Sequence, residues 1–396
     1  MNKMRFLGTS DRKLDRPLRV TMLGLRGFPD VQGGVERHVQ NLSCALVDRG
    51  CDVEAIMRSP YVVAGLGRKW RNVRVVTLWS PRISGVEAVV HTFFGVLRAA
   101  WSRPDILHLH AIGPALFAPL ARAMALRVVV THHSDNYDNP KWNLAGRMAL
   151  RLGEWAGITY ANGYIGVSQF IADRIRRSYG VDIRVIPNGV DAPVKSLTQS
   201  VLDELGLTPH RYVLSVARID PIKRLLDLVS AFARAQSSDW KLVLVGDTYY
   251  SSEYAQALAK AVSNVSGVIM LGYQSPAVLA QLYAHAAVFV LPSKHEGNPI
   301  ALLEALSYGI PAIVSDIPSH RDIDTPLLQR VPVGDIDALS ETLRAVFTAT
   351  AVKRMDATER ERFLRKYDWS TIAESTLGVY LNALDETRPS GFGVSR

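Results

Sequence analysis

Short apolar runs alternate along the whole chain with longer stretches in which apolar residues recur at helical spacing, the pattern of a parallel sheet covered by helices on both faces. In the first half, residues 19–24, 53–57, 73–79, 105–110, 127–133 and 164–168 read as six strands. Between the first two, residues 35–49 place Val35, Val39, Leu42 and Leu46 on one face and stop at Gly50, which predicts a helix with its usual terminator. The alternation breaks at Pro187-Asn188-Gly189 and a polar stretch running to Pro209, then restarts with strands at 212–217, 241–245, 268–272, 288–292 and 311–315. The class is therefore α/β: two doubly wound Rossmann-like domains, residues 1–186 and 187–366, facing a central cleft. A terminal helix over 367–388 has an apolar face of its own, and the Gly- and Ser-containing residues 389–396 are expected to be a disordered tail.

Length agrees with two cores, since 396 residues is about two to three times the usual domain. A long stretch free of charge, residues 155–172, contains Asn162, Gly163, Ser168 and Gln169 and is too polar to span a bilayer. The first seventeen residues are polar and basic without an apolar segment, so a floppy tail rather than a secretory signal, and a cytoplasmic location, are expected. Cys44 and Cys51 match neither a disulfide framework nor a zinc or redox spacing and read as packing residues. Charge is uneven: the net +9 divides into +12 over residues 1–190 and −3 over the rest. Such a surface is either simply solvated or suits phosphate, and Arg68, Lys69, Arg71 and Arg74 around Trp70 form an interfacial candidate for an anionic membrane surface. No nucleic acid is expected as a partner, because no zinc finger, RNA-recognition signature or basic zipper is present.

Ligands of open parallel sheets sit beyond the carboxyl ends of the strands. There the strongest pattern is His295-Glu296-Gly297-Asn298-Pro299-Ile300-Ala301, followed by Glu304 among Leu302, Leu303 and Leu306. Pro299 opens a helix, whose free N–H groups at Gly297, Asn298, Ile300 and Ala301 make an anion or hydroxyl site. Glu304, in apolar company, needs a cation or ligand hydroxyls. A second pattern runs from Ser215 to Arg224, where Arg218 leaves a strand and Lys223 begins a helix, so both cations can converge on a diphosphate. A third is Gly24 to Pro29 followed by Gly33-Gly34-Val35-Glu36, a glycine-rich turn into the first helix. Its spacing is neither the dinucleotide fingerprint nor a Walker lysine pattern, which disfavours hydride transfer and ATP hydrolysis.

His108, His110, His132 and His133 could imitate a metal cluster, but alternation along two strands is expected to separate them, and no zinc-type spacing occurs. No metal and no other cofactor is therefore expected. His133, ending its strand, is the functional candidate; His108 and His132 read as core residues, and His110 is left open. Cys44 lies within a helix without a histidine partner and is not a nucleophile, and Gly246-Asp247 reads as a turn.

Gly33-Gly34-Val35-Glu36, Arg218 with Lys223, and Glu296 and Glu304 with seven residues between them together resemble the retaining glycosyltransferases of family 4, which have the two-domain GT-B fold. Residues 105–119, 131–142 and 151–154 are similar to the branch that builds bacterial exopolysaccharide or O-antigen units. The resemblance implies a UDP- or GDP-sugar donor and a lipid-linked glycan acceptor. It further implies that Arg218, Lys223 and the Gly33-Gly34 backbone hold the diphosphate and Glu304 the ribose. Glu296 and His133 would meet the donor sugar, the base would rest near Gly272-Tyr273, and the last helix would cross back onto the first domain. Asn298 stands where the family usually has Phe or Leu, implying a more polar sugar pocket. Lys223→Ala is expected to cut turnover by about a few orders of magnitude and leave the fold intact. A nucleotide-sugar epimerase and a non-catalytic sugar-nucleotide-binding scaffold are the rival readings.

Overall fold

The computed structural model describes residues 16–83, 85–135, 137, 139, 142–194, 198–235, 239–248, 253–350 and 352–385. Two sheets form. The first contains β1 (Arg19–Leu23), β2 (Asp52–Arg58), β3 (Lys69–Trp70), β4 (Val73–Leu78), β5 (Ile106–His110), β6 (Val128–His132), β7 (Gly163–Gly166) and β8 (Arg184–Val185) in the order β3-β4-β2-β1-β5-β6-β7-β8. The second contains β9 (Tyr212–Val216), β10 (Lys241–Val245), β11 (Val268–Met270), β12 (Val288–Leu291), β13 (Ala312–Ser315) and β14 (Leu328–Val331) in the order β11-β10-β9-β12-β13-β14. All neighbours pair in parallel except β3 with β4. β5, β6, β12 and β13 are buried along their full length, as helices on both faces require.

The sequence pattern thus finds the central strands and misses three edges. β3 turns back on β4 through Arg71 and Asn72, both at positive φ, a two-residue hairpin without the usual glycine signal. β8 is two residues long, and β14 carries exposed Gln329 and Arg330 between its buried ends. At the amino end, Arg16 makes a bidentate pair with Asp105, so the expected floppy tail stops short of it; residues 1–15 lie outside the described residues.

The first helix spans Gly34–Asp48 and buries Val39, Leu42 and Leu46. The last, Trp369–Asp385, lays Trp369, Ile372, Ala373, Tyr380 and Ala383 into the same cluster as Met22, Val39 and Ile106 of the first domain. Tyr380 Oη lies 2.7 Å from His108 Nδ1, tying that helix to β5. Residues 386–396, with the expected tail, fall outside the described residues. Among the described residues no helix is long and apolar enough to cross a membrane.

Candidate active site in the interdomain cleft

Each sheet reverses its strand order once, between β1 and β5 in the first and between β9 and β12 in the second. These switch points open crevices at the strand carboxyl ends. Arg218 leaves β9 and Glu296 follows β12, so the two strands flanking the second switch point deliver the two strongest sequence patterns to one place. The local geometry differs slightly from expectation: Lys223 ends a single 3-10 turn, Pro221–Lys223, capped by Asp220, and the helix proper is Leu225–Ala235. Pro299 is the N-cap, not the first residue, of helix Ile300–Ser307.

A cavity of about 280 Å³ lies between the domains. Gly33, Gly34, His133, Arg218, Lys223, Tyr273, Glu296, Gly297, Asn298, Ile300, Ala301 and Glu304 all line it; Gly272 does not, its carbonyl accepting from Gly246 N at 2.8 Å. At Gly297 a Cβ would stand 1.7 Å from the His133 carbonyl oxygen, so only glycine lets the backbones of the two domains meet there.

Lys223, expected as a free phosphate cation, is already engaged: its Nζ is 2.6 Å from Glu296 Oε1, which also accepts from Ser293 Oγ at 2.6 Å. Burial would raise the Glu296 pKa, but the Lys223 charge and these two hydrogen bonds outweigh it and hold the carboxyl below its usual range. Glu304 differs. Burial raises its pKa despite Arg37 Nη2 at 3.4 Å and a hydrogen bond from Tyr283 Oη at 3.1 Å. Arg218 is half-buried and makes no ion pair or hydrogen bond among the described residues, so the cavity wall carries an uncompensated cation as well as the amino end of helix Ile300–Ser307.

Asn298 does less for the sugar pocket than its polarity implies. Its Oδ1 accepts from Asn188 N at 2.9 Å and its carbonyl from Asn188 Nδ2 at 2.5 Å, so the side chain anchors the interdomain linker.

The histidines correct another expectation. Alternation sets only His132 apart, against Asp135 at 3.0 Å, with Arg174 beside that carboxylate and Glu154. His108 and His110 share a face, ring centroids 4.0 Å apart, and His110 Nδ1 lies 3.2 Å from His133 Nε2. His38, which sequence reasoning overlooked, packs its ring 4.7 Å from that of His133. Nitrogens of His38, His110 and His133 lie within 4.8 Å of one another, a separation at which a metal ion can be held, as do ligand atoms of His132, Asp135 and Glu154. Burial keeps the first group neutral: His38 falls to about 4, while burial and the neighbouring imidazoles hold His108, His110 and His133 well below 6.5.

Arg37, Tyr283, Asn188 and Gln32 were also missed. The need of Glu304 for a cation was legible, but its source across the cleft was not. Gln32 Oε1 accepts from Asp247 N at 3.2 Å, a second link between the domains. Burial raises the Cys44 and Cys51 thiols to about 11, in keeping with packing roles. In the basic patch, Arg74 is paired with Asp52 and Glu54 and Trp70 packs on Phe28, which leaves Arg68, Lys69 and Arg71 exposed.

Comparison with known proteins identifies the family. The model of Glycosyltransferase Family 4 matches residues 32–193, and that of Glycosyl transferases group 1 matches residues 203–362. Alpha-maltose-1-phosphate synthase of Mycobacterium tuberculosis is 29% identical, over 92% of this chain and 99% of the relative. GDP-mannose:cellobiosyl-diphosphopolyprenol alpha-mannosyltransferase of Xanthomonas campestris is 27% identical over 79% of this chain and 82% of its own. Among solved structures, sucrose-phosphate synthase of Thermosynechococcus elongatus superposes with a TM-score of 0.77 at 22% identity, covering 92% of this chain and 98% of that one. Two family models that between them span both domains, meeting at a cleft into which the strand ends deliver Arg218 and Glu296, make this chain a member of glycosyltransferase family 4 with the GT-B fold.

Proposed function

We propose that the protein transfers a hexose, with retention of configuration and without a metal, from a UDP- or GDP-sugar to a lipid-linked saccharide in the assembly of a cell-surface polysaccharide. The observation that carries the reading is that Arg218, without an ion pair or hydrogen bond among the described residues, and the amino end of helix Ile300–Ser307 line the same cavity, features suited to a diphosphate. The Xanthomonas relative, whose name specifies a nucleotide-sugar donor and a diphosphopolyprenol-linked acceptor, supports the choice of substrates. In this reading residues 187–366 bind the donor and residues 1–186 the acceptor, at the inner face of the cytoplasmic membrane.

Arg218, Lys223 and the Gly33-Gly34 backbone take the diphosphate. Glu304 accepts from the ribose hydroxyls, and the base lies by Gly272-Tyr273. Glu296, ionised beside Lys223, accepts from sugar hydroxyls near neutral His133. Among the described residues the cavity wall holds no carboxylate besides Glu296 and Glu304, which favours front-face attack over double displacement. The acceptor hydroxyl oxygen bonds to the anomeric carbon as the bond from that carbon to the diphosphate oxygen breaks. The acceptor proton passes to the departing diphosphate, and Arg218, Lys223 and the helix amino end stabilise its growing charge.

Calorimetry with UDP and GDP, on the wild type and on Glu304→Ala, tests the reading. One nucleotide should bind, and the variant should lose at least about tenfold in affinity, as expected when hydrogen bonds to a charged group are removed. Binding of neither nucleotide would sink it.

A further inference from the structure

The largest concentration of exposed apolar side chains lies away from the cleft, on two helices of the first domain. Helix Val86–Ser102 presents Phe93, Leu97 and Trp101 to solvent at intervals of four, and helix Leu144–Tyr160 presents Met148, Leu152 and Trp155. Trp101 is 80% exposed, an unusual state for the largest apolar side chain. Both helices pack on the short helices Ile112–Ala115 and Ala118–Ala123 between them. Trp142 joins their amino ends: a Cβ on Gly85 would lie 3.2 Å, and one on Gly146 3.1 Å, from its ring. The apolar sides therefore belong to one face.

The charges of this face identify its occupant. Each helix carries one carboxylate, and both are buried: Glu87 against Arg58 at 2.9 Å, and Glu154 beside Arg174. Among the described residues of the two helices and their leads, the exposed charges are basic: Arg147 and Arg151 on the second helix and Arg82 just ahead of the first, with Arg98 half-buried over the Trp101 ring at 5.0 Å. Apolar side chains, aromatic rings and arginines without an exposed acid suit a surface that is hydrocarbon beneath and anionic above. A second copy meeting this face about a twofold axis would bring the arginines against themselves.

We propose that the face built by helices Val86–Ser102 and Leu144–Tyr160 docks onto the anionic surface of a lipid bilayer. Trp101 and Trp155 seat in the interfacial layer and Arg147 and Arg151 meet lipid phosphates. The purpose of this contact, to bring the cleft to a lipid-linked acceptor, rests on the function proposed above; the contact itself does not.

The test is flotation of the full chain with vesicles of one part phosphatidylglycerol to two of phosphatidylcholine, against vesicles of phosphatidylcholine alone. The wild type should float with the anionic vesicles. Leu97→Ser with Trp101→Ser, and separately Arg147→Glu with Arg151→Glu, should each weaken this at least about tenfold, while unchanged melting and nucleotide binding show an intact fold. Arg68→Glu with Lys69→Glu should float as the wild type does. Wild-type protein that stays in solution, equal flotation of all variants, or a solution dimer that Trp101→Ser dissociates would each overturn the proposal. Flotation by a protein that binds neither UDP nor GDP would leave the docking face standing and remove the transferase reading.

Discussion

Lys223 and Glu296 answer each other's burial. The carboxylate is 9% exposed and the ammonium stands at hydrogen-bond distance, so removing either leaves the other charged and nearly dry. Lys223→Ala therefore costs more than the lost phosphate contact that sequence alone assigns it. We expect a loss of about 3–5 kcal/mol in unfolding free energy. The double variant Lys223→Met with Glu296→Gln should recover most of that without recovering transfer. Chemical denaturation read beside the transfer rate separates the two effects, and a single variant as stable as the wild type would show that the pair adds nothing to the fold. Glu304 makes the complementary point about legibility. Its place among leucines announced a need for partners, yet Arg37, which answers it, lies 267 positions away on a helix surface that looks simply solvated. Spacing along a chain reports neighbours on one element and is silent about which side chain another domain presents.

Elements were legible in proportion to their burial. β5, β6, β12 and β13 are continuous apolar runs because both faces are covered, and such runs need no tertiary information to be seen. β14 reads Leu-Gln-Arg-Val, half polar because it closes the sheet edge, and β8 is too short for any period. The loop from β12 to helix Ile300–Ser307 shows the same limit in the site. Its Gly297 reads locally as a free N–H at the helix mouth, whereas its steric constraint is the carbonyl of His133 in the other domain. Gly297→Ala should consequently wedge the domains apart. We expect near-complete loss of transfer with two folded domains, visible as a larger radius of gyration in solution scattering and an unchanged helical signal. Retained activity would mean that the domains need not meet at this point.

At the scale of the whole molecule, four neutral imidazoles, His38, His108, His110 and His133, sit in the first domain under the cleft floor. Their folded pKa values are lowered below the unfolded value of about 6.5, so the unfolded chain binds more protons in the interval between. The stability they contribute is complete above pH 6.5 and is lost as pH falls; for His38, down to about 4, this amounts to about 3 kcal/mol. Melting temperature should drop steeply from pH 7 to pH 5, and less steeply in His38→Phe. A flat profile would mean that the imidazoles are reached by water.

The return of helix Trp369–Asp385 to the first domain also bears on how the chain is made. Every strand of the first sheet has been synthesised once Val185 is in the chain, but the helix that covers Met22 and Val39 and caps His108 has not yet been translated. At ordinary elongation rates the wait is roughly ten to forty seconds. For that time a nascent first domain presents an open apolar groove, and the second domain folds while its neighbour is unfinished. The amino-terminal half is thus the first to be synthesised and the last to be completed.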